Sequence, residues 1–336
     1  MSDHPTNISV AEAKESFLKF VGQHRSAQTV KAYRTALETF SSMLSTQTIN
    51  LYTFPANEIT ETSIVNFVAR TEKLAPATES LYLQVIKNFF EFLAAEQITT
   101  IEVSRIRKII KQRSRRNKIA SSSYPEQPLK RFLTYMSEMA KTPGKISAGL
   151  SSAMLRDQRD GALILTLADT GLRVEEVCKL KVGDLNLTER NAILHGRGGK
   201  ASVVRFSTRS MEAINNYLDL RSRIETNTGQ RFSAYPLFAR HDKGAGKKVK
   251  PMTSTTVRNI VSERIMEVLG REYVGVITPH TFLHYFVTSI LKTTGNLKMA
   301  QVLARHANIQ VTQKYAHISD HELDEGYAAV FEQKRE

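Results

Sequence analysis

The residues of this chain that could do chemistry together are one arginine, two histidines and one tyrosine, far apart in sequence. Arg173 follows a Thr-Gly-Leu segment, whereas His280, His306 and Tyr315 lie towards the end of the chain. Cleavage of a phosphodiester without a metal needs a nucleophile, donors for the charge that develops on the phosphate oxygens, and an acid for the leaving oxygen. Arginine donates through a fork of N–H groups, and tyrosine can attack when nearby cations lower its pKa. These residue types therefore suit the cleavage of a DNA strand.

The motifs around these residues carry a resemblance to a known family. The segment 170–173, Thr-Gly-Leu-Arg, and the stretch from 279 to 317 resemble the catalytic domain of tyrosine recombinases, the phage-integrase-like family. The resemblance implies that Tyr315 is the nucleophile, that Arg173, His280 and His306 bind the scissile phosphate, and that Glu176 supports Arg173. It also implies site-specific cleavage and rejoining of DNA through a 3′-phosphotyrosine intermediate, which needs no ATP.

One position departs from the pattern of this family. Leu283 stands where the family has the second arginine of its His-x-x-Arg-His box, and leucine cannot donate to a phosphate oxygen. Loss of one such donor typically lowers the rate about 10² to 10³-fold. Three explanations follow: a weakened or inactivated recombinase that still binds DNA, a deliberate Arg-to-Leu change that traps a complex, or replacement of the missing charge by Arg305. Arg305 stands where the family usually has glycine.

The acid for the leaving oxygen is expected on a glycine-rich hairpin. The tip, residues 196–200, resembles the loop in which the family carries a lysine as general acid. Its usual position is occupied here by Arg197, and arginine is a poor proton donor because its pKa exceeds about 12. Lys200 is close by and could serve instead. The alternative for both residues is a basic loop that only contacts backbone phosphate.

The elements that must position these residues are predicted to form two domains. Helical periodicity over residues 1–110 predicts a bundle of four or so helices. The residue patterns at 29–33 and 76–93 resemble the SAM-like core-binding domain of the same recombinases. Residues 111–124 are predicted to be a basic linker. Residues 125–336 are predicted to be a catalytic domain that is mainly α with a small antiparallel sheet, with His280 just before a helix and His306 just after one. The expected fold class is therefore α+β, with both domains forming a C-shaped clamp around DNA.

Basic residues in the first domain and the linker predict DNA contacts. The candidates are Lys31, Arg34, Lys87, Arg113, Arg115 and Arg116. Contacts of this kind reach the phosphate backbone, so they position a protein without reading sequence. The alternative is that these residues are solvated surface groups and that the linker is a disordered tether.

Composition also favours a polyanionic partner. The 336 residues include 47 Lys and Arg against 33 Asp and Glu, for a formal net charge of +14. Such a surplus favours a nucleic acid over the alternative of a merely soluble basic protein. The resemblance narrows the partner to double-stranded DNA target sites. It also implies a homo-oligomer, with a dimer on each site and a tetramer in synapsis.

The sequence disfavours several other classes of protein. Cys178 is the only cysteine, so no internal disulfide can form and a reducing compartment is expected, namely bacterial cytoplasm or nucleoid. No apolar run approaches the roughly 20 residues of a membrane helix. No Cys/His group has zinc spacing, and residues 194–201 lack the first glycine and the Ser/Thr of a P-loop. We therefore expect no membrane, no metal and no cofactor.

Two further functions stay open from the sequence. Leu283 is compatible with a DNA-binding protein of the same fold that no longer cuts. A type IB topoisomerase uses similar residues but would act as a monomer without site preference. The biological role also stays open among phage integration, transfer of a mobile genetic element and resolution of chromosome dimers.

Overall fold

The computed structural model divides the chain into two compact units, Met1–Lys118 and Ile119–Glu336. The described residues are 8–46, 49–113, 124–141, 152–195, 201–223, 231–242, 249–313 and 315. Within these ranges the chain is mainly α-helical, with a single sheet of three short strands. The predicted fold class is therefore confirmed.

The first unit is a bundle of helices around an aromatic core. The described residues of this unit form the α-helices α1 Val10–His24, α2 Ala27–Ser45, α3 Glu61–Thr71, α4 Pro76–Ala95 and α5 Val103–Arg113. The Ser26 side chain caps α2 by accepting from the Thr29 backbone N–H at 3.1 Å, which satisfies a donor that the helix itself cannot pair. In the core, Phe40 makes edge-on contacts with Phe67 and Phe90. These contacts hold α2, α3 and α4 together.

Helix α5 extends into the first residues of the predicted linker. The predicted linker starts at residue 111, whereas α5 continues to residue 113. Ile106 is fully buried, and Arg105 and Arg107 pair with Glu61 and Glu91 at 2.9 and 2.6 Å. The burial of Ile106 and the ion pairs with α3 and α4 offset the repulsion between the basic side chains of α5. Sequence periodicity does not show these contacts. Residues 114–123 lie outside the described ranges.

The second unit is built around one central helix. Helix α7, Ser152–Thr170, is apolar or small from Gly161 to Ala168, and most of its residues are buried, which is typical of a core helix. Phe132 and Phe282 stack in the same core. The other helices are α6 Glu126–Lys141, α8 Val174–Val177, α9 Thr208–Ser222, α10 Ser254–Val268, α11 Pro279–Thr294, α12 Leu297–Leu303 and α13 Ile309–Gln313.

The sheet of the second unit contains the predicted hairpin and one additional strand. Strands β1 Leu185–Asn186, β2 Asn191–His195 and β3 Ala201–Arg205 pair antiparallel in the order β1-β2-β3. Ala192 lies opposite Val204, and both are buried. Strand β1 was not predicted because two residues are too few to show alternation.

Candidate active site

Arg173 is presented by the turn that ends α7. Gly171 has φ +60, a left-handed conformation that glycine adopts without steric cost. Arg173 is the N-cap residue of the short helix α8, and Glu176 accepts two hydrogen bonds from it. The Glu176 carboxylate accepts the Arg173 backbone N–H at 2.9 Å and its Nη1 at 3.1 Å. The Arg173 side chain is still 44% exposed, so its other donors can meet a ligand.

A cavity of about 930 Å³ opens in front of Arg173. Its lining includes Arg173, Glu176, Lys179, Arg258, His280 and Leu283. The full lining holds four cationic side chains and His280 against three carboxylates. The small positive excess suits an anionic ligand such as a phosphate. Lys179 and Arg258 were not predicted from the sequence. Arg258 lies on α10, and no local motif indicates that this helix faces the turn after α7.

His280 lies inside α11 rather than before it, which corrects the predicted helix start. Pro279 occupies the first helical position, where its missing N–H costs nothing, so His280 falls in the first turn. Its ring is 4.4 Å from the ring of His284, centroid to centroid. Desolvation lowers the pKa of His280, and the nearby charge of Arg173 lowers it further. The neutral imidazole is therefore favoured in the folded protein.

His306 follows α12, as predicted, and is 5% exposed. Its Nδ1 is hydrogen-bonded to the Thr312 hydroxyl at 2.9 Å, so a ligand would have to bind through Nε2. Burial is the main cause that lowers the pKa of His306, followed by the charges of Arg173, Arg305 and His280. This histidine, too, is favoured in its neutral form.

Tyr315 is half-buried and lies against two histidine rings. The ring of His284 stands edge-on to it at 4.8 Å, and the ring of His306 is stacked at 6.4 Å. Burial raises the pKa of Tyr315, whereas Arg173 acts in the opposite direction. In the protein alone the phenol therefore keeps its proton.

Leu283 belongs both to the cavity wall and to a small apolar cluster. It is 4% exposed and packs with Val287, Ala300 and Ala304, and the ring of Tyr315 borders the same cluster. The position where the family has an arginine is thus filled by hydrocarbon between the cavity and Tyr315.

The remaining predicted site residues lie in the first unit or outside the description. Lys31 is exposed, Arg34 pairs with Glu15 at 2.9 Å, and Lys87 is partly buried. Arg113 is the last residue of α5, and its side chain is outside the described part of the structure. Arg115, Arg116, Arg197 and Lys200 also lie outside the described residues.

Metal and membrane candidates can be assessed over the same described ranges. No group of three or more His, Cys, Asp and Glu side chains there could hold a metal ion. Across those ranges, every helix is also too short or too polar to cross a membrane.

Two family models match the chain. The model of the phage integrase family matches residues 147–322, and the model of the phage integrase N-terminal SAM-like domain matches residues 15–97. Tyrosine recombinase XerC of Bacillus pumilus is 30% identical over 308 residues, which is 91% of each chain. Tyrosine recombinase XerC of Treponema denticola is 26% identical over 322 residues, 94% of this chain and 97% of that one.

Solved structures share the fold at low sequence identity. The Tn1549 transposon integrase in complex with transposon right end DNA has a TM-score of 0.66 and 15% identity, over 97% of this chain and 100% of that one. The XerH site-specific recombinase bound to palindromic difH substrate has a TM-score of 0.65 and 18% identity, over 95% of this chain and 84% of that one. At these identities the similarity concerns the fold alone.

Proposed function

The chain belongs to the phage integrase family and is a site-specific tyrosine recombinase, and from this premise we propose that Tyr315 is its nucleophile. The supporting observation has two parts. Arg173 and His280 line one cavity, and the rings of His306 and Tyr315 lie 6.4 Å apart, close enough to Arg173 for its charge to lower the pKa of both groups. Arg173 and the two histidines bind the scissile phosphate of double-stranded DNA. Glu176 acts indirectly, because it fixes the backbone and the side chain of Arg173.

The proposed reaction exchanges one ester for another. The Tyr315 oxygen forms a bond to phosphorus while the bond to the 5′ oxygen breaks. The phenolic proton passes to solvent water or to one of the neutral histidines, His280 or His306, and the 5′ oxygen takes up a proton from Lys200 or Arg197. Because burial raises the pKa of Tyr315, the bound phosphate and its cations must help to remove the proton. The resulting 3′-phosphotyrosine conserves the energy of the phosphodiester bond, so the DNA strand can be rejoined without ATP.

The rest of the chain places DNA in this site. We assign residues 1–110 to DNA binding, 111–124 to a basic connection and 125–336 to catalysis. In the first unit, the Tyr33 hydroxyl accepts a hydrogen bond from Asn88 at 2.9 Å. This contact joins α2 to α4 beside Arg34 and Lys87. We propose a dimer on each DNA site and a tetramer in synapsis as the assembly, and the bacterial cytoplasm or nucleoid as the location.

The test uses a nicked suicide substrate, in which a short released strand diffuses away and traps the covalent intermediate. The binding site is first selected from random duplexes with the full-length Tyr315→Phe protein. We expect a covalent adduct on a denaturing gel with the unchanged chain and none with Tyr315→Phe. Tyr52→Phe, which changes a tyrosine that is 82% exposed, should leave the adduct unchanged. An adduct with Tyr315→Phe would contradict the proposal.

Leu283 favours one second candidate, a recombinase fold that binds DNA without cutting it. In that case the unchanged chain binds the selected duplex but forms no adduct at any nick position. An adduct that then appears with Leu283→Arg identifies a disabled recombinase. No adduct with either chain overturns the assignment of Tyr315.

A further inference from the structure

Arg305 occupies a position that is costly for a long side chain. Its φ is +56, in the left-handed region that disfavours residues with a β-carbon. The side chain is only 11% exposed, and burial of a cation is unfavourable unless the charge is paired and hydrogen-bonded. Both costs indicate that specific contacts hold the guanidinium in place.

Those contacts reach the turn that presents Arg173. Nη2 donates to the Gly171 carbonyl at 2.8 Å and to the Glu176 carboxylate at 3.3 Å. Nη1 donates to the carbonyls of Leu303 and Thr170 at 3.0 and 3.3 Å. Four of the five N–H groups of a guanidinium are thereby engaged. Among the described residues, the buried Nε has no hydrogen-bond partner.

The same carboxylate connects the two arginines. Glu176 Oε2 accepts from Arg305 and also from the backbone N–H of Arg173, while Oε1 accepts from Arg173 Nη1. Arg305 is not part of the cavity lining, which includes Arg173 and Glu176. Arg305 therefore lies behind Glu176, and a phosphate in the cavity would meet Arg173 first.

We infer that Arg305 is a positioning residue for Arg173: it fixes the Thr170–Gly171 turn and the Glu176 carboxylate, so that the guanidinium of Arg173 is rigidly aimed at the phosphate. This inference rests on the proposed function. It assigns a role to the departure from the family pattern at residue 305 without making Arg305 a substitute for the arginine absent at 283. Leu283 still supplies no hydrogen-bond donor to the phosphate. Arg305 makes Arg173 a more effective donor by holding its guanidinium in one orientation.

Electrostatics are consistent with this arrangement. Burial lowers the pKa of Arg305, and the carboxylate of Glu176 opposes that change. After burial and Arg173, the charge of Arg305 is the next cause that lowers the pKa of His306. Arg305 thus also favours the neutral form of that histidine.

The test measures binding, so it does not depend on strand cleavage. In the Tyr315→Phe background, the selected duplex is compared with duplexes that carry a single neutral methylphosphonate at each successive position. At the phosphate held by Arg173, loss of the charge should weaken binding about tenfold or more. Arg173→Ala should abolish that discrimination. We expect Arg305→Gly to abolish it at the same phosphate, and Arg305→Lys to restore it only in part, because lysine keeps the charge but lacks the fork.

Glycine is the appropriate replacement because it favours the left-handed backbone, so Arg305→Gly removes the side chain without adding strain. The double variant Arg173→Ala/Arg305→Gly should discriminate no worse than Arg173→Ala alone. A double variant that is weaker than both single ones would indicate direct phosphate contact and overturn the inference. The inference would also be overturned if Arg305→Gly discriminated against the methylphosphonate as well as the unchanged arginine does. It would be overturned too if Arg173→Ala changed the discrimination at no phosphate. Failure of the proposed function would instead appear as a missing Tyr315 adduct in the suicide assay.

Discussion

The ring of Phe286 on α11 lies directly against Gly171, the glycine of the turn that presents Arg173. A β-carbon added at Gly171 would overlap this ring, and the φ of +60 at this glycine is itself unfavourable for other residues. The helix that carries His280 therefore packs against the turn that carries Arg173. The distance between these two candidate phosphate ligands depends on a residue without a side chain.

The first prediction separates this contact from backbone strain. Gly171→Ala should lower the free energy of unfolding by about 2 to 4 kcal/mol, because strain in the left-handed region and overpacking add. Gly295→Ala is a matched control, since Gly295 has φ +62 and nothing lies within 4 Å of its added β-carbon. That control should lose only about 1 kcal/mol. Equal losses in urea denaturation would show that the Phe286 contact has no energetic weight.

The second prediction concerns the missing donor. Leu283→Arg should increase the rate of adduct formation about tenfold or more, because the new guanidinium can extend from the cavity wall to a phosphate. It should also lower the free energy of unfolding by about 1 to 3 kcal/mol, since Leu283 packs with Val287, Ala300 and Ala304. Leu283→Met keeps the apolar volume and should change neither rate nor stability greatly. A folded Leu283→Arg protein with an unchanged rate would mean that the site lacks no donor.

The third prediction is a pH dependence of stability. Burial, followed by the charges of Arg159, Arg221 and Arg156, lowers the pKa of His241 to about 3. The Tyr217 hydroxyl lies 2.8 Å from Nε2 of this histidine and accepts the Ala239 backbone N–H at 3.2 Å. The hydroxyl proton of Tyr217 can therefore be donated to Nε2 of the neutral His241 ring.

Between pH about 6.5 and 3, the unfolded chain binds a proton at His241 that the native chain does not bind. The free energy of unfolding should therefore fall as the pH is lowered through this range, by at most about 1.4 kcal/mol per pH unit from this group. His241→Phe, which keeps an aromatic ring beside Tyr217, should lose this part of the slope in urea titrations at pH 7 and 5. An identical slope in both proteins would exclude a protonation change at His241.

The fourth prediction tests the DNA-binding face of the first unit. Lys31→Gln and Lys87→Gln should each reduce the slope of log affinity against log salt by about 0.9, the value expected for one lost phosphate contact. Lys73→Gln changes an exposed lysine outside α2 and α4 and serves as the control. The measurement is binding of the selected duplex at several salt concentrations. An equal change in the salt dependence of binding for all three variants would indicate a general effect of net charge. It would contradict a DNA-binding face formed by α2 and α4.

Local patterns predicted the elements whose causes are local. The pairing of β2 with β3 follows from the glycine-rich hairpin that the sequence predicts. The start of α11 was placed too late, although Pro279 is a recognised signal for a first helical residue. His280 was consequently expected outside the helix that carries it.

Features set by distant contacts were not predictable in this way. Helix α5 forms despite the repulsion between its basic residues, because Arg105 and Arg107 pair with Glu61 and Glu91 on other helices. The direction of the Arg305 side chain is determined by carbonyls of the turn after α7, which no local spacing shows. Arg258 likewise lines the cavity only because α10 packs there.

The most direct test of the central claim identifies the residue that becomes linked to DNA. After reaction with the suicide substrate, the adduct is digested with protease and nuclease, and the modified peptide is sequenced by mass spectrometry. We predict a single nucleotide-bearing peptide, with the 3′-phosphate on the oxygen of Tyr315. A 3′-phosphate on any other residue, or a 5′-phosphate on Tyr315, would contradict the account.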